Sequence, residues 1–217
     1  MWPNESAEYR NARNRLNDKE AKLRALAEEI AEDRRNLPKG GALLENYVFQ
    51  KASDGAAVSF SQLFEHSKNT LFAYSFMFRA GAAPCSMCVS LLDSLNGAAN
   101  HLQQKISLAI IARASPQELK ELASERGWGN LKFYSSQGNS YNPDYRAEDD
   151  AGSQLPIMHV WQKDETGIHH FWASELFYHN DPDWKQQPRH ADMIWPLWNV
   201  LDLTPQGRGD WYPAVEY

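Results

Sequence analysis

The feature that most constrains this chain is a run of three segments between residues 70 and 113. T-L-F-A-Y-S-F-M-F (70–78) is almost continuously apolar, and its length and aromatic content predict a buried central strand. I-S-L-A-I-I-A-R (106–113) predicts a second. Between them, Cys88, Leu91, Leu92, Leu95, Ala98, Ala99 and Leu102 fall on one helical face. A buried strand, an amphipathic helix and another buried strand call for parallel strands joined by a right-handed crossover.

The flanking segments extend this unit. S-P-Q-E-L-K-E-L-A-S-E-R-G-W (115–128) predicts a helix with Ser115 as cap, Pro116 at its first position, Glu118 three residues after the cap and Gly127 as stop. L-K-F-Y-S (131–135) reads as a short strand, and residues 136–154 as a Ser/Gly/Asn/Asp-rich loop. P-I-M-H-V-W-Q (156–162) and I-H-H-F-W-A-S (168–174) predict an antiparallel hairpin turning at Asp164 to Gly167. Upstream, Tyr47 to Gln50 and Val58 to Phe60 read as short strands around an Asp54-Gly55 turn, with a short helix starting at Ser61. Pro182, Pro188, Pro196, Pro205 and Pro213 break up the C-terminal part, where only 191–201 looks helical. The expected architecture is a mixed central sheet with helices on both faces.

Residues 5–37 predict one long helix. Tyr9, Leu16, Leu23 and Ile30 recur every seven residues, flanked by Ala12, Leu26 and Ala27, and L-P-K-G-G ends it. The organisation read from this is an N-terminal helical arm (1–41) and one α/β domain (42–217). The arm's narrow apolar stripe must dock on the main domain or on a partner chain, which leaves a homodimer through this helix open.

Composition excludes several classes. The formal net charge of -6 argues against a nucleic-acid partner. No run approaches the ~18 apolar residues of a membrane span. The opening M-W-P-N-E-S has no apolar region of the secretory kind, so the cytoplasm is the expected compartment.

The 217 residues contain two cysteines, Cys85 and Cys88, in R-A-G-A-A-P-C-S-M-C-V-S-L-L-D. Two randomly placed cysteines fall three apart about one time in a hundred, so the spacing carries information. Pro84 suits a helix start, which places Cys85 at the opening turn, where unpaired amides and the helix dipole favour its thiolate. Cys88, one turn on beside Leu91 and Leu92, is expected to stay a buried, protonated thiol. The pair then predicts thiol–disulfide exchange, with Cys85 as nucleophile and Cys88 as resolving thiol. Half a metal site and two inert core thiols are the alternatives. A metal needs further ligands. His101 lies about four turns along the same helix, and His159, His169 and His170 lie on the hairpin. No metal and no organic cofactor are expected.

Q-L-P-I-M-H-V-W (154–161) suggests the other side of a substrate groove. A proline before a buried strand, downstream of the cysteine helix, stands where a cis proline would face the sulfurs, so Leu155 and Pro156 are candidate substrate contacts. A trans proline opening the strand is the plainer reading. Trp161, Trp172, Trp195, Trp198 and Trp211 are core or interface residues by default, with Trp172 the candidate for the groove. Arg79 is read as a solvated loop arginine, His169, His170 and Glu175 as surface or edge positions, and Arg208 as pairing with Asp210 or the terminal carboxylate.

Several stretches also carry a resemblance. The cysteine segment, E-R-G-W at 125–128, S-S-Q-G-N-S-Y-N-P-D-Y at 135–145 and W-P-L-W-N-V-L-D-L-T-P-Q-G-R-G-D-W at 195–211 are similar to the DUF899 family. So are the N-terminal Y-R-N-A-R-N-R-L and N-L-P-K-G-G. That family is a thioredoxin-like group described as predicted dithiol-disulfide oxidoreductases. The resemblance spans nearly the whole chain. It implies a thioredoxin-like fold and a redox role for Cys85 and Cys88, with a cellular dithiol or disulfide protein, or a small thiol, as partner. Members often have proline after the first cysteine, where this chain has Ser86; that departure bears on the reduction potential. A non-catalytic binding or redox-sensing module and a thiol peroxidase are the alternative functions. The peroxidase reading lacks the Pro and Thr/Ser pattern expected before a peroxidatic cysteine.

Overall fold

The structure, a computed structural model, describes residues 2–65, 67–178 and 189–217, without the side chain of Phe177. Pro182 and Pro188 lie outside the described residues. The chain divides into two compact units, Met1–Gly40 and Gly41–Tyr217.

The first unit is α1 (Ala7–Arg35). The Ser6 side chain accepts the Tyr9 amide at 3.1 Å, and Arg34 and Arg35 in the last turn complement the helix dipole. Tyr9, Leu16, Leu23 and Ile30 are all exposed.

The second unit is built on a seven-stranded sheet. Its elements are β1 (Val48–Lys51), β2 (Ala57–Ser59), β3 (Thr70–Arg79), α2 (Ser86–Leu102), β4 (Ser107–Arg113), α3 (Pro116–Glu125), β5 (Phe133–Ser135), α4 (Tyr141–Asp144), β6 (Ile157–Asp164), β7 (Gly167–Ala173) and α5 (Pro196–Leu201). The strand order is β2-β1-β5-β4-β3-β6-β7. β3, β4 and β5 run parallel, and β6 and β7 continue the sheet antiparallel beyond β3. This is a thioredoxin-like arrangement with a mixed central sheet.

The two longer helices of this unit share a face. β3, β4 and β5 step across the sheet in one direction, so two right-handed crossovers put α2 and α3 on the same side. Leu91, Leu92 and Leu95 of α2, Leu119 and Leu122 of α3 and Trp198 of α5 pack there against Tyr74, Phe76, Phe78 and Ile110. The opposite face is covered by a largely aromatic layer: Phe60 and Leu63 from a 3-10 turn, Tyr141 from α4, Tyr47 from just before β1, and Phe49 and Trp161 from the strands. The short helix α4 breaks what the sequence reads as an uninterrupted loop.

Local signals explain the ends. Ser115 and Glu118 form the capping box of α3, with Pro116 in its first turn. Pro196 opens α5, so the C-terminal helix is only Pro196–Leu201, after a 3-10 turn at Asp192–Ile194. On α2, Cys88, Leu91, Leu92, Leu95 and Ala99 are buried, whereas Ala98 is exposed and Val89 takes its place inward. Fully burying each such aliphatic side chain contributes about 1.5–3 kcal/mol.

Candidate active site

The site begins where β3 ends. The β3–β4 register shifts between Ser75 and Arg79, and the pairing with β6 stops at Ser75. Met77 is thereby released from the ladder, and its carbonyl accepts the Cys85 amide at 3.1 Å. The intervening loop turns at Gly81, whose φ of +72° lies in the left-handed region that glycine tolerates. The Gly81 amide donates to Glu118 Oε1 at 2.8 Å. The same carboxylate accepts the Ser115 amide and hydroxyl at 2.9 and 2.6 Å. One capping glutamate therefore holds both α3 and the loop that delivers Cys85.

Cys85 is the N-cap of α2 and is half-buried; Cys88 lies one turn in and is 2% exposed. Both are free thiols. The Cys85 thiol is lowered from 9.0 to about 6. The largest cause is hydrogen-bond donation from the Cys88 thiol, opposed by burial and aided by the Met87 and Cys88 amides. Those amides face the sulfur without closing a side-chain cap bond. Position in the sequence points to the helix terminus alone, whereas in the fold the neighbouring thiol comes first. Cys88 is pushed well up, first by its bond to Cys85 and then by burial. The Tyr74 hydroxyl, donating to the Cys88 sulfur, and the Met77 amide act in the opposite direction.

Cys85 opens onto a depression of about 460 Å³ lined by Met77, Arg79, Ala82, Ala83, Cys85 and the segment Ala151–Gln154. Arg79 is exposed at its rim, as the last residue of β3 rather than in the loop where it was expected. The other groove candidates are placed differently. The Leu155–Pro156 bond is trans, as are all peptide bonds among the described residues. Pro156 directly precedes β6, the Leu155 amide donates to the Ala147 carbonyl at 2.9 Å, and neither residue lines the depression. Gly152, Ser153 and Gln154 occupy that wall instead. Trp172 packs against the core cluster that contains Cys88. Among the described residues, no group of three or more His, Cys, Asp or Glu is placed to hold a metal ion.

Tyr74 is the residue that pattern reading missed. Its signal was available: one phenol within the apolar run T-L-F-A-Y-S-F-M-F, whose hydroxyl needs a partner once buried. The loop wall 151–154 had no comparable signal.

A polar pair lies on the hairpin. His159, 4% exposed, has Nε2 at 2.9 Å from the Tyr145 carbonyl and Nδ1 at 3.0 Å from His170 Nε2. A carbonyl only accepts, so His159 carries its proton on Nε2, and His170 Nε2–H donates to His159 Nδ1. Burial lowers His159 to about 3, with His170 adding to the effect. His170 stands on the edge strand β7, as expected, and its ring is satisfied by His159. Arg208 differs from expectation. It binds Asp202 and Asp192, each at 2.8 Å, and lies over the Trp198 ring, instead of pairing with Asp210 or the terminal carboxylate. Trp195 Nε1 reaches Ser90 Oγ at 3.3 Å, fixing this C-terminal segment to the cysteine helix.

The model of the DUF899 family, described as bacterial protein of unknown function, matches residues 2–216. The chain belongs to the DUF899 family. No curated protein matches this DUF899 chain. Among solved structures, it is similar to peroxidoxin BcpB from Mycobacterium tuberculosis, at 12% identity and a TM-score of 0.51 over 76% of this chain and 99% of that one. It is also similar to a cysteine-to-serine mutant of Xanthomonas campestris peroxiredoxin Q, at 9% identity and a TM-score of 0.50 over 75% and 98%. These likenesses establish the thioredoxin-like fold of the DUF899 chain. None of its helices, among the described residues, is long and apolar enough to cross a membrane.

Proposed function

We propose that this protein is a thiol–disulfide oxidoreductase. Cys85 is the nucleophile and Cys88 the resolving thiol. The observation that carries the reading is the asymmetry of the pair: an acidic sulfur at a solvent-open depression, with a buried, proton-bearing sulfur one turn behind it. The Cys85 thiolate attacks a substrate disulfide, forms a mixed disulfide and expels one substrate thiolate. Cys88 then gives up its proton and attacks the Cys85 sulfur. The Cys85–Cys88 disulfide closes, the second substrate thiol leaves, and two electrons have passed to the substrate. A cellular dithiol restores the pair. The reaction needs no metal or organic cofactor, and a reducing cytoplasm suits it. Substrate approaches across the depression along its Ala151–Gln154 wall, and Leu155, Pro156 and Trp172, outside that lining, would be met only by the more distant parts of a protein substrate.

A hydroperoxide is the second substrate class, favoured by the fold shared with a peroxidoxin and a peroxiredoxin. The thiolate would attack one peroxide oxygen, release the alcohol and become a sulfenate, which Cys88 would condense to the same disulfide with loss of water.

The test is steady-state turnover of wild type and Cys85→Ser with a low-molecular-weight disulfide and with hydrogen peroxide, dithiothreitol supplying electrons. Cys85→Ser should stay folded and lose turnover, and the preferred oxidant assigns the substrate class. Turnover surviving in Cys85→Ser, or none in wild type with either oxidant, refutes the proposal.

A further inference from the structure

α1 is an unbroken 29-residue helix, and none of its residues is buried. Tyr9, Leu16, Leu23 and Ile30 stand seven apart on it, from 39% (Ile30) to 68% (Leu23) exposed. They form a stripe about 30 Å long. A strict seven-residue repeat drifts around a straight helix by about 20° per heptad, so about 60° from Tyr9 to Ile30. A flat surface loses such a stripe within a few turns, whereas a second helix follows it by winding into a left-handed coiled coil. The stripe is also narrower than the apolar face by which a helix packs on a globular core. Its geometry therefore selects another helix as occupant.

Charge selects which helix, and in which direction. Let the stripe be heptad position a. In a parallel pair in register, each g residue meets the e residue five further along the partner. Glu8 then meets the partner's Arg13, Arg15 the partner's Glu20, and Glu29 the partner's Arg34, while Lys22 meets an alanine. Every charged contact is attractive, and two-fold symmetry makes each of them twice. A fully overlapping antiparallel pair instead sets e against e and g against g, which brings Glu20 onto Glu20 and Lys22 onto Lys22. Within one chain Arg13 lies 3.6 Å from Glu20, so both occupy the flank where the partner's Glu8 and Arg15 arrive. Leu26 adds to the seam at position d, whereas Lys19 and Asp33 interrupt that row, so the pair dissociates on dilution.

We propose that α1 is a homodimerisation helix through which two copies of this chain pair as a parallel, in-register, two-stranded coiled coil. Pairing through α1 is independent of the exchange chemistry at Cys85.

The test is sedimentation equilibrium of the full chain under reducing conditions, over a wide range of concentration. Wild type should pass from 24.8 kDa when dilute to twice that mass when concentrated. A mass that stays at 24.8 kDa overturns the proposal and leaves the stripe to the rest of its own chain. Leu23→Glu should abolish the dimer, and a dimer that survives it lies elsewhere and overturns the assignment. Two charge-reversed chains then test direction. Glu8→Lys with Arg15→Glu alters only g positions, and Arg13→Glu with Glu20→Lys only e positions. Each chain alone turns two pairs, both present twice, from attractive to repulsive, and should self-associate about a hundredfold more weakly. An equimolar mixture restores every attraction and should form a heterodimer as tight as the wild-type dimer. An antiparallel pair would leave the e-reversed chain dimeric by itself. That result, or a mixture that stays monomeric, overturns the parallel pairing. All these positions lie on an exposed helix, and circular dichroism with thermal unfolding checks that each variant keeps its fold.

Discussion

Replacing Cys88 by alanine should make Cys85 less acidic, by an amount that can be worked from the pair. Cys85 is held at about 6 against an ordinary 9.0, with the Cys88 S–H donor as the largest cause. A hydrogen bond to a charged group contributes about 1.5–3 kcal/mol. At 1.36 kcal/mol per pH unit, that is one to two units. Cys85 is only half-buried, so solvent screening favours the lower end, and the Cys88→Ala midpoint is expected at about 7. At pH 6 the thiolate fraction then falls from about one half to about one tenth. Iodoacetamide alkylation of Cys85, followed by mass spectrometry, should be about fivefold slower at pH 6 and indistinguishable at pH 10. Cys88→Ser, whose hydroxyl can donate to the same sulfur, should keep the midpoint close to wild type. A Cys88→Ala midpoint that remains at about 6 would show that the helix amides alone acidify Cys85, and the donor argument would fail.

Two further predictions concern stability. His159 is neutral in the fold, lowered to about 3, and His190 is lowered to about 4, first by burial in each case. Unfolded histidine titrates near ~6.5. As pH falls from about 6.5 toward 4 the unfolded chain binds protons that the native one refuses, so stability should drop by up to about 1.4 kcal/mol per pH unit per histidine. Urea melts should show this slope, and a slope unchanged in His159→Gln would refute the assignment. Ser115→Ala should cost about 1 kcal/mol in chemical denaturation by removing the α3 cap. Its Cys85 alkylation midpoint should stay put, since Glu118 retains Gly81; a shift would show that the cap also tunes the sulfur.

Much of the scaffold was legible because it is written in local signals. The period of α2, the capping box of α3, the apolar runs of β3 and β4 and the β6–β7 turn each depend on residues a few positions apart. The same holds for Cys85 at a helix start with Cys88 one turn behind. The hairpin's proline shows the limit: Pro156 is trans and stands just before a strand, but what lines the depression with Cys85 is the preceding segment Gly152–Gln154, brought there by a loop containing α4. Nothing local marks those residues, because their role exists only after residues about seventy apart in sequence meet.

The sequence by itself determined which elements form, which faces they bury and where the two sulfurs lie on their helix. Apolar period, caps and turn residues act over one or two turns of chain and need no distant partner. Only the tertiary structure decided that α2 and α3 share a face, that Glu118 clamps the Cys85 loop, that Tyr74 and Cys88 are buried in one packed cluster and that His159 and His170 pair. Each of these is a hydrogen bond or packing contact between segments whose spacing along the chain carries no information about their distance in space.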